Sequence, residues 1–206
     1  MKWLTPVLPY LAVGIGLFWV GNAWLTLLGF HFAILLSLFL AKSSFPIKNL
    51  FISSDLRWVA LNILLCGSSG ISLFFFWSYF GLVGDLPAHF ESYDLTRSTW
   101  PLFITYFVLA NPLVEEYFWR GYLGSPTRGL YPSDFLYAGF HALILINKMH
   151  IVAIMYSLIV LVLAGWFWRQ LARVNGGLLA PVLGHMVADF TILMAVYWRS
   201  IEILSN

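Results

Sequence analysis

The chain has 206 residues, enough for one domain, with 61% hydrophobic and 10% charged side chains and a mean hydropathy of +0.84. That composition excludes a water-soluble globule, which needs more polar surface to stay dispersed, and a net charge of +2 is too small and scattered for nucleic-acid binding. A single cysteine, Cys66, excludes an intrachain disulfide and a Cys-based zinc site.

Met1-Lys2 and the apolar stretch from Trp3 have the outline of a signal peptide, but hydrophobicity resumes at once from Trp24 to Leu40. The segment therefore reads as a retained first helix. Polar or Gly-rich breaks fall at Gly21-Asn22, Lys42 to Arg57, Asp85 to Ser98, Gly124 to Ser133, Asn147 to His150 and Arg173 to Gly177. The runs between them predict helices at about 4–20, 23–41, 58–81, 100–122, 134–148, 150–169 and 178–198. The expected fold is all-α: a polytopic transmembrane helical bundle of about seven spans, with room for a half-inserted segment. Pro112 is expected to kink the fourth of these helices.

With the N-terminus in the cytoplasm, that side receives Lys2, Lys42, Lys48, Arg57, Arg120, Arg128, Arg169 and Arg173, and the other Arg97, Lys148 and Arg199. Basic residues accumulate on the cytoplasmic side of membrane proteins, so this asymmetry sets the expected orientation. Trp3, Trp58, Trp77, Trp100, Trp119, Trp166, Trp168 and Trp198 fall near predicted helix ends, as interfacial anchors do.

In so apolar a chain, ionisable residues inside a hydrophobic run mark a site. Glu115 and Glu116 lie within Asn111-Pro112-Leu113-Val114-Glu115-Glu116-Tyr117-Phe118-Trp119-Arg120. Glu115 is eight residues before Leu123, His141 seven after Asp134, and His185 eight after Gly177. At 1.5 Å per residue all three sit roughly 10–12 Å from one membrane face, on three different helices. Glu116 and Arg120 are four apart and suited to an ion pair; Glu115 points about 100° away. His185 and Asp189 are also four apart, so the carboxylate can orient the imidazole. Taken singly, a buried histidine or an i,i+4 ion pair is more often structural; packing alone does not explain the whole set at one depth. His31 has no acid within a turn and reads as a packing residue or a helix–helix hydrogen bond; His89 and His150 read as loop or interface residues.

Glu115-Glu116-x-x-x-Arg120, then Tyr137-x-x-x-His141, then His185-x-x-x-Asp189 resemble the motifs of the CPBP family of intramembrane proteases, which contains CAAX prenyl endopeptidases and bacteriocin-processing and self-immunity proteins. The resemblance covers roughly residues 100–195 and includes Arg120-Gly121-Tyr122-Leu123. It implies a division into N-terminal transmembrane helices over 1–99, structural in role, and a catalytic transmembrane core over 100–206. It also implies an intramembrane endopeptidase that cuts near the C-terminus or leader of membrane-associated substrates. Glu115 would be the general base, His141 would hold the attacking water, and His185 with Asp189 would stabilise the oxyanion. Glu116, Arg120 and Tyr137 would support them. Tyr137 stands where the family usually has Phe, and Asp189 where it often has Asn. An ionised Asp cannot donate to an oxyanion, so Asp189 is left to orient His185, to donate when protonated, or to ligate a metal. No cofactor is favoured, since the HExxH helix of a zinc protease is absent; zinc stays open, with Glu115, His141, His185 and Asp189 as its possible ligands. Expected partners are membrane lipid and a peptide or protein substrate, lipid-modified or carrying a transmembrane tail. The expected location is the plasma (inner) membrane, with the active site facing the cytoplasm.

Three rival readings are weighed against this one. Gly67-Ser68-Ser69-Gly70 fits the GxSG pattern of rhomboid serine proteases, with Ser69 as nucleophile and His185 or His141 as its base, but small residues are also ordinary helix-packing positions. A proton-coupled transporter would use Glu, His and Asp as a relay, yet shows internal repeats, and none stand out. A non-catalytic membrane scaffold completes the set.

Overall fold

The computed structural model describes residues 2–82 and 86–205, and among them all regular structure is helical. Asp85, at which the predicted outer loop begins, lies outside the described residues. Helix α1 (Val7–Ile15) continues through a π turn at Gly16–Val20, and Gly21, at φ 65°, breaks the chain. Asn22 then caps α2 (Ala23–Leu40) by accepting from the Leu25 N–H at 2.9 Å. Asp55 caps α3 (Leu56–Phe75) in the same way.

The segment expected as an outer loop holds a short helix, α4 (Leu86–Glu91), because Phe90 packs its ring on Trp100 at 5.3 Å. Next come α5 (Trp100–Glu116), which runs on as a π segment at Tyr117–Tyr122, and α6 (Pro132–Leu145). Helix α7 (Ile151–Asn175) closes on Gly176 at φ 67°, and α8 (Leu179–Ser205) completes the chain. The last turn of α7 extends past the predicted 169 because Arg169, Leu171 and Asn175 all face the interior.

By length and composition five segments can cross a membrane: Lys2–Val20, Ala23–Leu40, Leu56–Phe75, Ile151–Asn175 and Leu179–Ser200. Phe32, Phe39, Leu64, Ile151 and Val152, each more than 60% exposed, turn large apolar surface outward, which only a lipid environment solvates well. The protein is an integral membrane protein. Helix α6, at 14 residues, is about 21 Å long and falls short of the ~30 Å hydrocarbon layer.

Helix α8 is the hub, packed along α3 and against α5 and α7, while α6 packs on α7 and α1 on α2. Its fit to α3 depends on glycine: a Cβ at Gly70 would overlap the Thr191 backbone, and one at Gly67 would press on Val187. The GxSG glycines thus serve close helix approach, and among the described residues neither His141 nor His185 hydrogen-bonds Ser69. Gly70→Ala should lower stability by about 1–3 kcal/mol through overpacking, read as a drop in melting temperature in detergent, whereas Ser69→Ala should leave both stability and cleavage at native levels.

The tryptophans divide. Trp3, Trp58 and Trp198 are exposed, as anchors would be, but Trp100, Trp119 and Trp168 are at most 5% exposed. Nearness to a helix end did not reveal that these three sit on inward faces, where their rings fill the core around Phe103, Phe140 and His185.

Candidate active site

Helix α5 delivers the two carboxylates. Its interior Pro112 and the π segment beginning at Tyr117 bracket Glu115 and Glu116; proline removes a ladder hydrogen bond, and π turns gather at functional sites. Both glutamates are buried, Glu115 at 2% and Glu116 at 0% exposure.

Glu116 does more than hold its own helix. Its Oε1 lies 3.1 Å from Arg120 Nη1 and also 2.9 Å from Nδ1 of His185 on α8. Asp189, one turn further along α8, stands 3.5 Å from the other imidazole nitrogen, Nε2. His185 therefore has a carboxylate at each nitrogen, and the firmer partner is Glu116 rather than the Asp189 singled out by spacing. Nδ1 is hydrogen-bonded to Glu116, and the longer approach to Asp189 leaves Nε2 the less firmly engaged nitrogen.

The Arg120 guanidinium sits 3.8 Å above the Tyr137 ring and 5.0 Å from Trp168, a cation–π box in an apolar setting. Gly165 makes room for it, since a Cβ there would crowd both Tyr137 and Arg120. Trp168 in turn stacks on His185 at 4.6 Å, its indole N–H donated to Asn62 Oδ1 at 3.1 Å. Tyr137 lies between the two imidazoles, 5.0 Å from His141 and 6.1 Å from His185. His141 Nδ1 donates to the Tyr137 carbonyl at 2.9 Å, which leaves Nε2 as its accepting nitrogen.

Glu115 faces the other side of this cluster. Its Oε1 accepts from Asn111 Nδ2 at 2.8 Å, and the same amide nitrogen lies 3.4 Å from Asp189 Oδ2. Glu115 Oε2 is buried with no hydrogen-bond partner. Asn111 Oδ1 is 3.1 Å from His31 Nε2, and His31 Nδ1 is 3.1 Å from the Tyr106 hydroxyl. His31 is thus the helix–helix hydrogen bond that its sequence position suggested.

Asn111, Trp168 and Asn62 were missed by sequence reasoning. For Asn111 a signal existed, since it lies four residues before Glu115 on the same helical face. For Trp168 and Asn62 there was none, because their partners lie on other helices.

Beyond Arg120 a cavity of about 370 Å³ opens between Ser125, Arg169, Arg173, Gly177 and Leu178, at the end of the bundle where α7 turns into α8. Among the described residues no three His, Cys, Asp or Glu side chains are arranged to hold a metal ion. In this arrangement the side chains named as possible zinc ligands are not grouped to fit that ion, and no step below passes through a metal.

Residues 97–191 match the family model of the type II CAAX prenyl endopeptidase Rce1-like proteins. The match is consistent with a CPBP family protease and spans Asn111, Glu115, Glu116, Arg120, Tyr137, His141, His185 and Asp189. No curated protein and no solved structure was found to match the chain.

Proposed function

We propose that this membrane protein, whose Rce1-like region supports intramembrane endopeptidase activity, hydrolyses peptide bonds near the C-terminus or leader of membrane-associated substrates with a water activated by Glu115. The observation that carries the reading is the connected buried set of Glu115, Asn111, Asp189, His185 and Glu116, in which Glu116 Oε1 is taken by Arg120 and His185 while Glu115 keeps Oε2 clear of protein hydrogen bonds. A buried acceptor left unmatched costs about 1–3 kcal/mol, which is reasonable where a water or substrate is to be held.

In this mechanism Glu115 Oε2 takes a proton from water as the water oxygen attacks the scissile carbonyl carbon. His141, with Nε2 free to accept, holds the second water proton. The charge that develops on the carbonyl oxygen is met by His185. Glu116 fixes that ring through Nδ1, and the long 3.5 Å contact to Asp189 leaves the Nε2–H open to the substrate oxygen. Glu115 then returns its proton to the amide nitrogen as the C–N bond breaks, giving a new carboxyl terminus and an amine. The N-terminus is assigned to the cytoplasm and the site to the cytoplasmic leaflet, supported by the distribution of Lys and Arg and by the cavity at that end.

The test is cleavage of a membrane-tethered reporter peptide by purified, reconstituted protein. His141→Ala and His185→Ala should each lower the cleavage rate by at least about a hundredfold while melting like folded protein. Native rates in both would defeat the assignment. Cleavage should persist in chelator; loss that zinc alone restores would instead assign a metal to these side chains.

A further inference from the structure

Building on the reading of Glu115 as the base, we infer that His31 of α2 is a positioning residue for it, acting through Asn111. His31 lies outside residues 97–191, and nothing in its own helix suggests a role in chemistry.

The polarity of the chain of contacts admits one arrangement. Glu115 and Asp189 are both acceptors when ionised, so the Asn111 amide turns its NH2 toward them, at 2.8 and 3.4 Å. Asn111 Oδ1 then faces His31 and needs a donor, which fixes the His31 proton on Nε2. His31 Nδ1 is left as an acceptor and takes the Tyr106 hydroxyl proton. Tyr106, His31 and Asn111 thus donate in one direction, each to the next and the last to Glu115. His31 is 5% exposed and Asn111 2%, so water does not replace a lost partner cheaply.

The arrangement does two things for the base. It occupies Oε1, so that Oε2 is the oxygen left for the reacting water, and it fixes the rotation of the carboxylate about its last bond. Without the His31 N–H, Asn111 Oδ1 is buried without a donor and the amide can turn over, aiming its oxygen at two carboxylates. Glu115 then loses its hold and its aim. Misplacement of a base lowers the rate of the chemical step and leaves substrate binding little changed.

The experiment compares native protein with Glu115→Gln, His31→Leu, His31→Gln and Tyr106→Phe in the reconstituted cleavage assay, with melting temperatures measured alongside. His31→Leu should lower kcat by roughly 10–100-fold, since misplacing a reacting group by about 1 Å costs up to about 10²-fold, with KM within about twofold. His31→Gln, whose side-chain amide carries an N–H toward Asn111, should recover most of that kcat; Tyr106→Phe should show a smaller loss. Native kcat in His31→Leu overturns the inference, and so does a loss that His31→Gln does not repair while melting normally. Should His31→Leu not fold, Tyr106→Phe decides, since it keeps the imidazole in place: native kcat there overturns the inference. Glu115-dependent cleavage indifferent to His31 defeats this inference alone, whereas no cleavage by native protein, or cleavage undiminished in Glu115→Gln, defeats the protease reading with it.

Discussion

Glu115→Gln is expected to lower peptide cleavage by roughly 10²–10⁴-fold, the range contributed by a positioned general base, while the protein stays inserted and folded. The two side chains have nearly the same shape. Gln keeps an oxygen for the Asn111 amide, so the 2.8 Å contact that seats the side chain survives. What is lost is the basic lone pair at Oε2, the Glu115 oxygen that no protein group hydrogen-bonds. Removing a negative charge beside Asp189 also relieves like-charge crowding, so melting should be unchanged or slightly higher. Glu115→Asp tests geometry: it keeps the charge but retracts it by one methylene from Asn111, and should also be slow. Single-turnover cleavage with melting curves on the same preparations separates these cases. A Glu115→Gln protein that cuts at the native rate would remove the base from the mechanism.

What the sequence made legible was local. The Glu116–Arg120 pair follows from a spacing of four on one helix, and it is present at 3.1 Å. The common depth expected for Glu115, His141 and His185 rests on counting from helix ends at the α-helical rise, a count that the π segment at Tyr117–Tyr122 interrupts for Glu115. Rotation about each helix axis, and the choice of neighbour, could not be counted. Those depend on how small residues such as Gly70 let α3 approach α8, and on which aromatic faces fill the interior. Hence Glu116 read as a support for its own helix, when it also holds His185 across the interface. Hence also Trp168 read as a membrane anchor, when it lies flat on that imidazole. His31 carried no local sign of its partner, since the contact exists only once α2 lies against α5.

The same limit hid a buried ion pair whose loss should cost most in stability. Arg169 on α7 is 2% exposed and meets Asp134 at the start of α6 through two parallel hydrogen bonds, Nε to Oδ1 at 2.9 Å and Nη2 to Oδ2 at 2.8 Å. Its remaining protons go to the carbonyls of Ser125, Thr127 and Gly129, at 3.2, 2.6 and 2.6 Å. One guanidinium therefore seats the whole turn between the glutamate-bearing helix and the helix that carries His141. Arg169→Leu leaves a carboxylate and three carbonyls without that donor, and removal of one partner from a buried pair costs about 3–5 kcal/mol. The expected result is a large drop in melting temperature, with faster proteolysis within residues 124–131. Arg169→Lys should fall between, since an ammonium cannot form the two-pronged contact or reach three carbonyls at once. Pairing Arg169→Leu with Asp134→Leu should restore part of the loss, because the stranded charge is then gone while the carbonyls remain unmatched. Native-like melting of the single Arg169→Leu protein would mean that the turn is held by its other contacts. Cleavage should decline in the same order as stability, since the turn adjoins Arg120 and, through it, Glu116 and His185.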